Sequence, residues 1–178
     1  MKFSKYILAL GLLFTILTSC NKNDGQQPHP DLSETIITAK FDGSLIGFTG
    51  EAVRSSNPDG ISLKIKGLSV NGFRTASIGL DILAATIGTG TYATVTNAGQ
   101  SQIGSVIRFS PNVVTEGSYD SYSSAHAEGN GNVTITAISD KAVEGTFKGT
   151  LRLVDAKGDA TGKVITVTDG NFKVQIRK

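Results

Sequence analysis

The sequence is poor in the residues that support thiol and histidine chemistry. It contains one cysteine, Cys20, and two histidines, His29 and His126. A lone thiol excludes an internal disulfide framework and a metal site built from several thiolates. Tryptophan is absent and aromatic residues make up 7% of the chain, whereas glycine reaches 21 residues. Together with frequent Thr, Ser and Val, this composition favours an all-β domain with many turns over a helical one.

Near its N-terminus the chain has an apolar run that is too short to span a membrane comfortably. The uncharged stretch Tyr6–Cys20 has 15 residues, and a spanning helix needs about 20. Lys2 and Lys5 precede it, which is the pattern of a secretion signal. The run ends in Leu17-Thr18-Ser19-Cys20, which resembles the lipoprotein box of bacteria. That resemblance implies that Cys20 receives a diacylglyceryl group, becomes the new N-terminus and leaves the mature domain without a free thiol.

The rest of the chain is interpreted as a linker followed by one domain. Residues 1–19 are expected to be the leader, residues 20–33 the lipidated cysteine with a flexible polar tether, and residues 34–178 a single all-β domain. Without the leader, 15 basic residues balance 15 acidic ones, and no basic stripe favours a nucleic-acid partner. We therefore expect an exported protein whose membrane partner is reached through the N-terminal lipid, on the periplasmic or cell-surface side of the outer membrane.

Alternation of apolar and polar residues predicts about ten strands. In Val143–Leu153 the apolar side chains of Val143, Phe147, Leu151 and Leu153 share one face. The predicted strands are Thr35–Phe41, Ser44–Phe48, a short and ambiguous Glu51–Arg54, Ile61–Gly67, Phe73–Leu83, Ser101–Ser110, Tyr119–Ala127 at an edge, Val133–Ala137, Val143–Val154 and Lys163–Ile176, the last broken by a turn at Asp169-Gly170. Hairpin turns are predicted at Asp42-Gly43 and Asn71-Gly72, and a loop at Asn57–Gly60. The pattern favours an antiparallel β-sandwich, with a lipocalin-like closed barrel as the alternative.

Three C-terminal segments carry a family resemblance: Gly131–Thr136, Val143–Gly149 and Val164–Val174, with Gly90-Thr91-Tyr92 as a further element. They are similar to a family of uncharacterised Bacteroidetes lipoproteins, whose pattern is a Gly-x-(Val/Ile)-x-Ile-Thr strand, a Gly-Thr-Phe strand and a terminal Thr-(Asp/Asn)-Gly-x-Phe-x-(Val/Ile) hairpin. The resemblance covers roughly Gly88 to Ile176. It implies an all-β lipoprotein domain and supplies no reaction or catalytic residues.

The sequence offers few candidates for ligand contact. Tyr119 and Tyr122 lie on a polar segment, where tyrosine rings can stack on sugars or peptides; ordinary cross-strand packing is the alternative. His126 follows on the same segment and is a further candidate for ligand contact. A triad of His126 with Asp120 and either Ser124 or Ser121 is not favoured, because residues 120 and 126 of one strand are about 20 Å apart. No catalytic residues are therefore assigned.

The sequence also offers few candidate metal or cofactor sites. Asp155 and Asp159, with loop carbonyls, form a weak calcium candidate. Gly158–Lys163 is similar to a phosphate-binding loop, but the spacing between its glycines is one residue too short and a strand follows it. A hairpin loop is therefore expected. Gly88-Thr89-Gly90 lacks the third glycine and the following helix of a dinucleotide site, and a β-bulge or tight turn accounts for it better. No cofactor is expected.

These observations predict a non-enzymatic, lipid-anchored module that binds a glycan or an envelope protein, or assists the cell envelope. Two alternatives stay open. One is a hydrolase of polysaccharide or envelope polymer, which needs two close carboxylates or a histidine beside a serine. The other is a barrel that carries a small apolar ligand, which needs an unfilled interior.

Overall fold

The computed structural model describes residues 36–71, 74–95, 103–111, 121–126, 129–155 and 159–177. These residues form ten β-strands. In chain order they are β1 (Ile36–Phe41), β2 (Ser44–Asn57), β3 (Gly60–Asn71), β4 (Arg74–Ala84), β5 (Gly90–Ala93), β6 (Gly104–Ser110), β7 (Ser121–Ser123), β8 (Asn130–Ile138), β9 (Ala142–Val154) and β10 (Ala160–Arg177). The predicted leader, tether and Cys20 lie outside the described residues.

The strands join into one sheet whose hydrogen bonding closes on itself. Their order is β1-β10-β2-β3-β4-β6-β7-β9-β8-β5, and β10 also pairs with β9. Because β10 contacts both β2 and β9, a ring runs through β2, β3, β4, β6, β7, β9 and β10. The predicted all-β fold of about ten strands is confirmed, and the ring is consistent with both the sandwich and the closed barrel.

The pairing is antiparallel with one exception between named strands. At the end of β10, Ile176 and Arg177 pair in parallel with Ala52 and Val53 of β2. The strand β1 lies against both β10 and β2. The strand β5 pairs with β8, and the next residue, Thr94, bridges to Ser105 of β6. Every strand of the described chain except β5 therefore has paired neighbours on both sides over part of its length.

Local turn chemistry sets the register of the first strands. Asp42 and Gly43 have φ angles of 46° and 84°, and the two-residue turn that they form joins β1 to β2 as predicted. Pro58 and Asp59 turn the chain between β2 and β3, which pair from Asn57 and Gly60 onwards. The pairing of β3 with β4 reaches Asn71 and Arg74; the turn predicted at Asn71-Gly72 falls partly outside the described residues.

The inward faces of the strands form one apolar core. Leu63, Ile65, Leu80, Ile107 and Leu151 are each fully buried. Aromatic side chains pack among these aliphatic residues: the ring of Phe41 stacks on that of Phe109 with centroids 3.8 Å apart, and Phe48 meets both rings edge-on. Burial of this continuous cluster is the main source of stability for a domain without disulfides.

Three strand predictions are corrected. The segment Ser44–Asn57 is one long strand rather than two short ones. Ile103 was predicted to alternate inward with Ile107 and Phe109, but it precedes β6 and is 65% exposed. The segment around Tyr122 is not an edge, because β7 pairs with β6 on one side and with β9 on the other.

The turn predicted at Asp169-Gly170 is a β-bulge within one continuous strand, β10. Between Val167 and Gly170, β10 advances three residues while β9 advances two, and β1 shows the same offset. Asp169 has a φ of 52°, which accommodates the extra residue. The strand therefore bends without reversing.

Candidate functional site

The outward face of β2, β3, β4 and β6 carries charged side chains on adjoining strands that border a cleft. Residues that alternate with the buried ones point away from the core. The strand register places Glu51 opposite Lys66, Lys66 opposite Gly79, and Gly79 opposite Arg108. These four positions form one row across the sheet. Gly79 leaves a gap in the row because it has no side chain.

A cleft of about 590 Å³ opens over this gap. A β-carbon added to Gly79 would meet only the β-carbon of Arg108, at 3.9 Å, among the atoms of the described chain. The aliphatic chain of Leu68, which is 56% exposed, borders one side of the cleft. The hydroxyl-bearing residues Ser77 and Ser110 border the same end. The cleft therefore combines an open floor, apolar surface and hydrogen-bonding groups.

A second cleft of about 450 Å³ adjoins the first near the turn between β2 and β3. Ser55 and Ser62, whose hydroxyl oxygens are 2.7 Å apart, lie on its wall. Both clefts are bordered by Asp81 and Arg108, which makes them neighbouring parts of one feature. We call the two clefts together the outer trough, bounded along β2 by Thr49 at one end and Asn57 at the other.

Two ion pairs lie along the outer trough. The guanidinium of Arg108 on β6 contacts the carboxylate of Asp81 on β4. Arg177 Nε lies 2.5 Å from Glu51 Oε2, which ties the end of β10 to β2. Burial lowers the pKa of Arg108 from its ordinary value, and this arginine still remains cationic at physiological pH. Both carboxylates on the strands of the trough therefore serve as partners for arginine.

Two lysines on β3 leave the trough with a small surplus of positive charge, since its lining holds Lys64, Lys66, Arg108 and Arg177 against Glu51, Asp59 and Asp81. Lys64 and Lys66 are exposed and point outward from the same strand. Within the described part of the chain, neither lysine has an ion-pair partner. Lys64 lies opposite Asp81 in the register, but that carboxylate is already bound to Arg108. The two ammonium groups are thus available to an anionic ligand.

The structure places Tyr122, predicted as a ligand-contact residue, inside the core. It is 3% exposed, its ring lies 6.4 Å from that of Phe109, and Lys163 Nζ lies 5.8 Å from its centroid. This position favours the cross-strand packing alternative. Tyr119 lies outside the described residues. His126 is half-buried, and its backbone carbonyl accepts a hydrogen bond from the Gly129 N–H.

Ser124, two residues before His126, has a structural role. Ser124 is fully buried, and its hydroxyl oxygen accepts a hydrogen bond from the Ile107 N–H at 2.8 Å. The Thr94 hydroxyl donates to the same oxygen at 3.3 Å. Ser124 thereby extends the pairing between β6 and the chain after β7. A nucleophile would need to meet a substrate, which this burial prevents.

The two predicted calcium ligands are hydrogen-bonded to each other. The backbone N–H of Asp155 donates to the carbonyl of Asp159, and the N–H of Asp159 donates to Asp155 Oδ1. One carboxylate oxygen is thus engaged by the backbone. Across the described ranges, no group of three or more His, Cys, Asp or Glu residues is arranged to hold a metal ion.

The outer trough was not predicted as a site from the sequence. The alternation of Ile61-Ser62-Leu63-Lys64-Ile65-Lys66 did indicate that both lysines point outward. It could not indicate that they share a face with Asp81 and Arg108, which are 27 residues apart in the chain. These residues come together because β3, β4 and β6 are neighbours in the sheet. Only the pairing of the strands shows that order.

Comparison with known proteins gives no relative: no family model, no curated protein and no solved structure matches this chain. The resemblance to Bacteroidetes lipoproteins therefore stays a prediction. In the portion of the chain that is described, no helix has the length and apolar character needed to cross a membrane.

Proposed function

We propose that this protein is a lipid-anchored, non-enzymatic binding module of the outer membrane. Its sequence supplies the anchor, at Cys20, and the outer trough supplies a binding surface. The observation that carries the proposal is the trough itself, in which charged and hydroxyl groups border two adjoining clefts on paired strands. Groups held on strands keep their positions, which suits recognition of a ligand with little reorganisation.

Side-chain recognition fits this fold better than strand addition. A peptide that adds to a sheet needs a free edge with unpaired backbone groups. Each described strand except β5 has paired neighbours on both sides over part of its length, and β5 offers an edge of only four residues. We therefore expect the ligand to lie across the outward face of β2, β3, β4 and β6, where side chains meet it.

A hydrolase is less well supported by the groups in the trough. Glu51 and Asp81 border the same cleft, but each is paired with an arginine. A glycosidase needs one carboxyl group that can deliver a proton, and an arginine partner stabilises the ionised form instead. Ser124, which lies two residues before His126, is buried.

The carrier alternative needs space inside the ring, and the described interior is densely occupied. Stacked rings of Phe41 and Phe109 lie near its centre, and Leu80 and Ile107 are fully buried there. Both clefts of the trough lie outside this core. A small apolar ligand would have to displace side chains that already contact one another.

The proposal is tested with the full chain purified in mild detergent and screened by calorimetry against glycans and envelope proteins. Gly79→Phe fills the floor of the trough, where the structure has room for a side chain, and should abolish binding of any ligand found. Gly47→Phe is the matched control, because a β-carbon at Gly47 meets nothing within 4 Å and this residue does not border the trough. Hydrolysis of a polymer by the wild-type protein, lost in Gly79→Phe, would contradict the proposal.

A further inference from the structure

We infer that the ligand of the outer trough is an acidic polysaccharide, bound as an extended chain through its carboxylates. This inference rests on the proposed binding function and specifies its ligand class. It follows from three properties of the trough: its charge, its length and its lack of exposed aromatic rings.

Charge is the first property. Lys64 and Lys66 are exposed on one strand and have no ion-pair partner in the described chain. The guanidinium of Arg108 lies beside them across Gly79, already neutralised by Asp81. A carboxylate that reaches either lysine gains attraction without breaking an existing pair. The chain as a whole carries nearly balanced charge, with 17 basic and 15 acidic residues, so this attraction is local to the trough.

Length is the second property. Along β2 the trough extends from Thr49 to Asn57, which at strand rise corresponds to roughly 26 Å. Both clefts share Asp81 and Arg108, so one extended molecule can occupy both. Ser55, whose hydroxyl is bonded to that of the buried Ser62, and Ser77 lie along this path and give a sugar chain hydrogen-bonding partners. A compact ligand would leave one cleft empty.

The third property concerns the rings that neutral sugars usually stack on. Among the described residues that line the trough, the single aromatic side chain is Phe109, which is 4% exposed and belongs to the core. A neutral glycan would therefore have hydrogen bonds but no stacking platform. Hydrogen bonds that merely replace those to water add little affinity. Attraction to the lysines therefore has to supply the remaining affinity, and this requires an acidic chain.

The experiment uses oligomers of polygalacturonate as the probe and the full chain in mild detergent. The first comparison is with the methyl ester of the same oligomer, which has the same backbone but no charge. The second comparison is the double variant Lys64→Gln/Lys66→Gln against Lys148→Gln, an exposed lysine on β9 outside the trough. We expect the ester to bind about three- to tenfold more weakly than the acid, because exposed ion pairs each contribute little. The double variant should bind the acid more weakly by a similar factor, and Lys148→Gln should bind it like wild type.

Salt and a second polyanion complete the test. Raising ionic strength should weaken binding, because exposed charges are screened. A short DNA duplex serves as the other anion, and equal binding of duplex and oligomer would overturn the inference by showing unselective attraction. Equal binding of the acid and its ester, abolished by Gly79→Phe but not by Gly47→Phe, would overturn the inference on charge and leave the proposed function standing. Absence of binding to both oligomers would also overturn the inference. The proposed function would then be tested by the calorimetric screen against other glycans and envelope proteins.

Discussion

The ring of Phe172 lies directly over Gly145 of the neighbouring strand, so that a β-carbon on that glycine would be 2.4 Å from the ring. The relationship is reciprocal. Two residues along each strand, the ring of Phe147 covers Gly170, where a β-carbon would be 2.7 Å away. The two rings are 6.4 Å apart in the core. The Gly-Thr-Phe and Gly-Asn-Phe motifs of β9 and β10 are therefore two halves of one packing arrangement.

Substitution of Gly145 by alanine should destabilise the protein strongly. The added β-carbon would lie 2.1 Å from the backbone oxygen of Thr134 as well as against the Phe172 ring. The strand itself would have to move, and we expect a loss of about 2 kcal/mol or more in the free energy of unfolding. Urea denaturation followed by tyrosine fluorescence measures it. Gly47→Ala, where a β-carbon meets nothing within 4 Å, should be neutral or slightly stabilising; equal losses in both variants would disprove this account.

The bulge at Asp169 leads to a prediction about backbone conformation. Asp169 has a φ of 52°, which β-branched residues rarely adopt. Asp169→Val should therefore cost about 1–3 kcal/mol of unfolding free energy. Asp169→Asn is the control, because asparagine tolerates this conformation and loses only the exposed pair with Lys40, which is 2.9 Å long and worth roughly 0–1 kcal/mol. If the asparagine variant lost as much stability as the valine variant, the ion pair rather than the backbone would be responsible.

Alternation predicted most of the strands, though not β5, and it did not predict their continuity or neighbours. An Asp-Gly pair supplies positive φ in a hairpin turn and in a bulge alike, so the sequence at Asp169 could not distinguish them. Asp42-Gly43 does form a turn. The difference is set by the strands on either side of β10, which continue past Asp169 and keep β10 paired as one strand.

The segment around β7 was misjudged because its polarity was interpreted as exposure. Ser123 and Ser124 are buried, and their hydroxyl oxygens accept hydrogen bonds from the N–H groups of Ala125 and Ile107. Serines that satisfy backbone groups in this way can lie inside a sheet. The composition of a short polar strand does not show which backbone groups its serines bind. For the same reason it does not show that Tyr122 is buried.

The aromatic contact at the centre of the core gives a third prediction. Phe109 is 4% exposed and stacks on Phe41, so Phe109→Ala removes a ring and leaves a cavity. We expect a loss of roughly 3–5 kcal/mol in unfolding free energy, measured by chemical denaturation. Ile103→Ala removes an apolar side chain that is 65% exposed and should change stability by about 0.5 kcal/mol at most. A small effect at Phe109 would mean that the core there is loosely packed.

The last prediction concerns the anchor proposed from the sequence. If the thiol of Cys20 carries a diacylglyceryl group, its two chains hold the protein at the membrane, since one acyl chain alone gives only marginal binding. Cys20→Ala should therefore release soluble protein, measured by fractionation of cells. Asn21→Ala, which keeps the thiol, should remain in the membrane fraction, and mass spectrometry of that variant should show a lipid-modified N-terminus. A Cys20→Ala protein that is cleaved yet stays with the membrane would show that something other than the lipid holds it there.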